Sequence, residues 1–117
     1  MKCISKLVRS FRNAFGGIVY ALRKEQNLRI EFFAAIFVIA TMIMLPVKRW
    51  EAVVLLLVIS FVLVLELLNT FLEKLVNLLK PRVHPQARVM KDLMAAAVFI
   101  SSLGAAVIGI YIFWPYL

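Results

Sequence analysis

The sequence predicts an all-α integral membrane protein: three transmembrane helices preceded by an amphipathic surface helix, in one domain over residues 1–117. Three observations carry this. First, 64% of the chain is hydrophobic and its mean hydropathy is +0.96, whereas a soluble domain is about 45–50% apolar. Too little polar sequence remains to cover such a chain in water. Second, the apolar residues fall in three long runs, and a span needs roughly 20 residues. Third, the net charge of +8 clusters at one end of those runs. A basic balance suits nucleic acid or an anionic membrane face, and beside such runs the membrane is favoured. Cys3 is the only cysteine, so no internal disulfide can form. No uninterrupted apolar core follows the first charges, so a cleavable signal peptide is not expected.

The elements follow in order. Over residues 4–24, Ile4, Leu7, Val8, Phe11, Phe15, Ile18, Val19 and Leu22 recur at three- and four-residue steps. Lys6, Arg9, Arg12, Asn13 and Arg23 lie largely off that stripe, the pattern of a helix lying on a membrane surface. Gly16-Gly17 could bend it. The first span is expected over about 30–47, ended by Pro46 and the cluster Lys48-Arg49-Trp50-Glu51. It is short and must draw on its flanks. The second span is expected over about 52–79 and the third over about 93–114. Trp50, Trp114 and Tyr116 fall where aromatic belts fall. In the third run Ala97, Ser101, Ala105 and Gly109 form a small-residue ladder, a packing signal in lipid. Residues 1–31 and 74–91 carry twelve basic residues and the turn at 48–51 carries two. The positive-inside rule then puts the N-terminus and the 74–92 segment in the cytoplasm and the C-terminus outside.

The chemistry is concentrated at the cytoplasmic end of the second span. Glu66, Asn69, Thr70, Glu73 and Asn77 share one face of an otherwise apolar helix. Entering at Ala52, that helix carries Glu66 about 21 Å along its axis and Glu73 another 10 Å or so further. Ionisable groups at such depth are costly and usually face a bundle interior or a cavity. Hydrogen bonding between helices would explain a lone amide. Two acids and an amide in register, beside Lys91-Asp92, point to function instead. The acids are too far apart to share one proton or one metal ion, so they suit different tasks. Glu66 suits a base that takes a proton from a lipid hydroxyl. Glu73, at the interface, suits magnesium, which bridges carboxylates to substrate phosphates. Glu25 can supply a second carboxylate, or it can pair with Arg29 at i+4. Lys91 can meet phosphate oxygens or serve as a positive-inside anchor. His84 lies in a loop fixed by Pro81 and Pro85. A single His makes no zinc site, and neither HExxH nor a P-loop pattern occurs.

The block Glu66-Leu67-Leu68-Asn69-Thr70 with Glu73, then His84-Pro85, then Lys91-Asp92 and an Ala-rich third span, resembles the prokaryotic diacylglycerol kinase family. The His-Pro form and the Asn-Thr pair resemble its undecaprenol kinase branch. Glu25-Gln26-Asn27-Leu28-Arg29-Ile30 resembles the family segment ahead of its first span. The resemblance implies a homotrimer with active sites shared between protomers. It also implies transfer of the ATP γ-phosphoryl group to a lipid primary hydroxyl, with magnesium. By position, Glu66 matches the base and Asn69 the site amide. Glu25 and Glu73 match the metal carboxylates. Lys91 and Asp92 match a nucleotide-contacting pair. Arg82 and His84 fall in the nucleotide-side loop, Lys6 and Asn13 among N-terminal nucleotide contacts, and Arg29 and Glu31 in the lipid-substrate region. Asn77 stands where the family commonly has Asp, Phe71 and Lys74 where residues are often small, and Gly16 where a basic residue is common.

A lipid kinase acting on undecaprenol or diacylglycerol is therefore expected. Phosphoryl transfer needs positioning and charge neutralisation more than covalent chemistry. The competing readings are an oligomeric ion or proton pathway, with Glu66 as relay, and a packing protein. A relay should place ionisable groups deep in more than one span, and spans one and three are expected to have none.

Overall fold

The computed structural model describes residues 1–79 and 85–117. Four α-helices follow one another: α1 (Lys2–Lys24), α2 (Gln26–Met44), α3 (Arg49–Leu78) and α4 (Gln86–Phe113), with a 3-10 turn at Trp114–Tyr116. Among the described residues there is no strand. Helices α2, α3 and α4 with its terminal turn are each long and apolar enough to cross a membrane.

Helix α1 puts its charged and apolar residues on opposite sides, and only Ala21 is buried. Phe11 and Phe15 are 68% and 71% exposed, as expected of a face that rests in the lipid interface. The helix runs unbroken through Gly16-Gly17. A Cβ at either position would meet nothing within 4 Å, so neither a bend nor a close approach requires these glycines within the chain.

Helix α1 ends at a single residue. Glu25 is extended (φ −112°, ψ 117°), and α2 begins immediately after it. Arg29 fixes this joint from the other side. Its Nη1 donates to the carbonyls of Leu22 at 2.9 Å and Arg23 at 3.1 Å. These are among the last carbonyls of α1, which lack partners within the helix and carry the negative end of its dipole.

The helix ends do not coincide with the limits expected for the spans. Helix α2 starts at Gln26 rather than near residue 30 and stops at Met44 rather than 47. The start is earlier because the polar segment Gln26–Arg29 continues the helix beyond the apolar run. The stop is earlier because Pro46 forces Leu45 out of the helical region. Its 19 residues give about 28 Å, close to the hydrocarbon thickness. Helix α4 starts at Gln86, a full two turns before its apolar run, so Lys91-Asp92 belongs to the helix rather than to a loop.

Helix α3 is the centre, with α2 and α4 packed on it and α1 touching both α2 and α3. Its first turn is closed by Glu51, whose Oε1 accepts the Lys48 backbone N–H at 2.9 Å. The same oxygen accepts the Tyr116 hydroxyl at 2.5 Å, tying the end of the chain to the start of α3. The buried apolar residues of the spans are Leu55, Val62 and Val76 of α3, Leu28 and Ala35 of α2, and Ala87 and Ile112 of α4. The molecule is only 21 Å thick in its shortest dimension. Most large apolar side chains therefore face outward. Even the ladder residue Gly109 has open space where a Cβ would stand, so its small size serves no contact within one chain.

Candidate active site between the three spans

The stripe on α3 divides between two cavities at different levels. The deeper, of about 330 Å³, is lined by Asn27, Ile30 and Glu31 of α2, Glu66 and Asn69 of α3, and Ala95, Val98, Phe99 and Ser102 of α4. The other, of about 370 Å³, is lined by Tyr20, Lys24, Glu25, Thr70, Glu73, Lys74, Asn77 and Leu78. Glu73 follows Glu66 by seven positions, which is about 10 Å of helix and close to two full turns. One face of one helix therefore serves both levels.

In the deeper chamber Glu66 is 3% exposed. The charges acting on it are those of Glu31 first, then Glu25 and Glu73. Its own helix satisfies nearby polar groups: Thr70 Oγ1 donates to the Glu66 carbonyl at 3.1 Å, so Thr70 is committed to the backbone. Glu31 reaches into the same chamber and accepts a hydrogen bond from Ser102 Oγ at 3.3 Å. The first span was expected to hold no ionisable group at depth; it contributes Glu31 to this chamber. Helix α2 starts early enough that Glu31 lies more than a turn inside it. Ser102 was missed altogether. It stands beside Ser101 of the small-residue ladder, and only its Glu31 partner, 71 residues away, sets it apart.

In the shallower cavity the carboxyl groups of Glu25 and Glu73 stand side by side in the lining. The Glu25 carboxyl is held above the usual carboxylate range, by burial first, then by the charge of Glu73. Lys74 Nζ stands 4.8 Å from the Tyr20 ring centre and so fastens α3 to α1.

The other expected site residues are distributed as follows. Lys91 is half-buried and Asp92 exposed on α4, and Lys91 lies one turn before Ala95 of the chamber wall. Arg29 serves the end of α1, as described. Lys6 and Asn13 are exposed on α1 and line neither cavity. By helix length they lie about 28 Å and 18 Å from the Glu25 joint. Arg82 and His84 lie outside the described residues. Among the described residues no three His, Cys, Asp or Glu side chains converge as a metal cage. The Glu25–Glu73 pair nevertheless fits magnesium. The ion takes oxygen ligands and is commonly held by one or two carboxylates plus substrate phosphates.

Fold and site together define a class: a small helical membrane protein that gathers carboxylates from adjoining helices at one end of its bundle. Sequence comparison makes the membership specific. Residues 12–113 match the prokaryotic diacylglycerol kinase family, and the chain belongs to that family. It is 36% identical over 104 residues to a diacylglycerol kinase of Synechocystis sp., a match covering 88% of this chain and 59% of that protein. It is 32% identical over 112 residues to an undecaprenol kinase of Bacillus subtilis, covering 96% of this chain and 91% of the relative. The match thus takes in less than two thirds of the cyanobacterial protein and nearly all of the Bacillus one.

Proposed function

We propose that this chain is an ATP-dependent lipid kinase acting on the primary hydroxyl of a membrane lipid. Undecaprenol is the leading acceptor, giving undecaprenyl phosphate; diacylglycerol, giving phosphatidic acid, is the second. The observation that carries this is the two-level arrangement on α3: a buried carboxylate in a chamber between three spans, and a carboxyl pair about 10 Å nearer the helix end. An amphiphilic acceptor and a water-soluble donor meet at that spacing of depths.

In this reading the acceptor hydroxyl enters the chamber beside Glu66. Glu66 takes its proton while the hydroxyl oxygen bonds to the γ-phosphorus. The bond from that phosphorus to the β–γ bridging oxygen breaks, and ADP leaves with the electron pair. Asn69, one turn further along α3, orients the reacting oxygen. Glu25 and Glu73 hold magnesium, which when bound neutralises phosphate charge. Lys91 and Asp92 meet the nucleotide at the chamber mouth, with Arg82 and His84 contributing from the sequence that joins α3 to α4. Lys6 and Asn13 reach a nucleotide only if α1 lies over the site of a neighbouring protomer, in keeping with a homotrimer that shares its active sites. A slab this thin, open on its faces, cannot enclose ATP and a lipid by itself. The charge asymmetry supports insertion in a prokaryotic cell membrane with the N-terminus and the 74–92 segment cytoplasmic.

The proton-pathway reading loses support from the same geometry. Above Glu31 and Ser102 the cavity lining is entirely apolar as far as Val38 and Ile59, which offers a relay no next group in this cavity. The test is transfer of label from γ-labelled ATP, with magnesium, to undecaprenol, diacylglycerol and ceramide. No labelled lipid from any of the three would end the kinase reading.

A further inference from the structure

The chamber around Glu66 does not end at Glu31 and Ser102. The same two residues also line a second cavity, of about 220 Å³, on its deeper side. Every other residue of that slot is apolar, and four of them are alanines: Ala34 and Ala35 of α2, Ala105 and Ala106 of α4. The slot follows α2 from Glu31 to Val38, about 10 Å along the helix. Its far wall is Ile59, Val62 and Leu63 of α3. The hydrogen-bonded pair Glu31–Ser102 is thus a collar, with carboxylates and an amide on one side and only hydrocarbon on the other.

We infer that this slot receives the first hydrocarbon segment of the acceptor, and that the Glu31–Ser102 collar with the alanine walls selects acceptors whose hydroxyl carbon bears one continuous slim chain. The inference rests on the lipid kinase reading and deepens it. With the hydroxyl at Glu66, the carbons next to it lie at the collar. A single unbranched or isoprenoid chain passes into the slot and gives each buried methylene a contribution of about fourfold in affinity. An acceptor with an ester on the neighbouring carbon would carry two oxygens past the collar into a lining that offers them no donor, and burial of unpaired polar groups is unfavourable. Alanines on two facing helices make the slot narrow in side-chain bulk but open in space, and leucine at either wall would fill it.

Ala34 and Ala106 both line the slot yet are exposed within the chain, so Ala34→Leu and Ala106→Leu can fill it without overpacking the bundle. The experiment measures kcat/KM of the full chain for farnesol, a single-chain primary alcohol, and for dioctanoylglycerol, in the same detergent micelles. Common micelles cancel partitioning between wild type and variants. Wild type should favour farnesol by more than about tenfold, the range set by a few apolar contacts. Each leucine variant should bring that ratio down by about tenfold or more through loss on farnesol alone, with an unchanged particle size in detergent. A ratio unaltered by both substitutions, in active enzyme, overturns the slot. So does a shift in particle size with equal loss on both acceptors, which would make the slot a contact between copies. Wild type inert on both acceptors but active on undecaprenol overturns the slot, whereas wild type inert on these and on the undecaprenol, diacylglycerol and ceramide panel refutes the kinase reading itself, a distinguishable result.

Discussion

Replacing Arg29 by Gln should loosen the surface helix from the first span, and the size of the effect can be worked from two hydrogen bonds. Arg29 Nη1 donates to Leu22 O at 2.9 Å and Arg23 O at 3.1 Å. Bonds from a charged donor contribute about 1.5–3 kcal/mol when buried. These are solvent-exposed, so the pair together is worth about 1–2 kcal/mol after discounting for screening. That corresponds to a factor of about 5–30 in the open population of the joint. Trypsin reports that population directly, because Arg23 and Lys24 stand at the joint and cleavage of a transiently opened segment follows its equilibrium when reclosing is fast. The Arg29→Gln protein should therefore be cut after Arg23 or Lys24 about 5–30 times faster than wild type in the same micelles, while cleavage after Arg88 stays constant. Glu25 is the joint residue, so the variant should also need more magnesium for half-maximal transfer. Unchanged cleavage at the joint would refute the clamp.

Three further outcomes are expected. Glu66→Gln should lower transfer by at least about 100-fold, the lower range for loss of a general base, with helical circular dichroism unchanged; retained turnover would remove Glu66 from that role. The raised Glu25 carboxyl sets a pH dependence with a definite sign. Its contribution to stability is present below the usual carboxylate range and is lost as pH rises through the raised pKa, where two charges face each other. Magnesium should accordingly raise the melting temperature at neutral pH more than at acidic pH, and Glu25→Gln should erase the difference; equal magnesium shifts at both pH values would count against the pair as a metal site. Tyr116→Phe should lower the melting temperature without altering KM for ATP, since it removes the hydroxyl on Glu51 at the end of α3 opposite Glu73; an altered KM would show the two ends to be linked.

Much of the fold could be read from hydrophobic periodicity, because lipid-facing helices keep one face or all faces apolar over long stretches. The surface helix and the existence of three spans are examples. Boundaries were less legible. Helices continue through polar residues once outside the lipid, as at Gln26–Arg29 and Gln86–Asp92, and they stop where backbone chemistry demands, as before Pro46. In the site, the acids on α3 stood out because carboxylates in apolar sequence are costly. Arg29 looked like an i+4 partner for Glu25 or a lipid contact, yet its side chain runs backwards to cap α1. That choice depends on the angle at a one-residue joint, which no local pattern encodes. The Glu31–Ser102 and Glu51–Tyr116 pairs join residues 71 and 65 positions apart, and neither partner alone announces the other.

Seven residue steps of α3 separate the two carboxylate levels, and this makes the helix a ruler. A single residue inserted anywhere between Glu66 and Glu73 would lengthen the interval by only about 1.5 Å but would swing Glu73 through about 100°, off the Glu25 side entirely. Sliding tolerance and rotational tolerance are therefore very unequal. Substitutions that change the lipid or nucleotide fit have room to accumulate around the stripe, whereas the count of residues along it is fixed by the handedness of the helix.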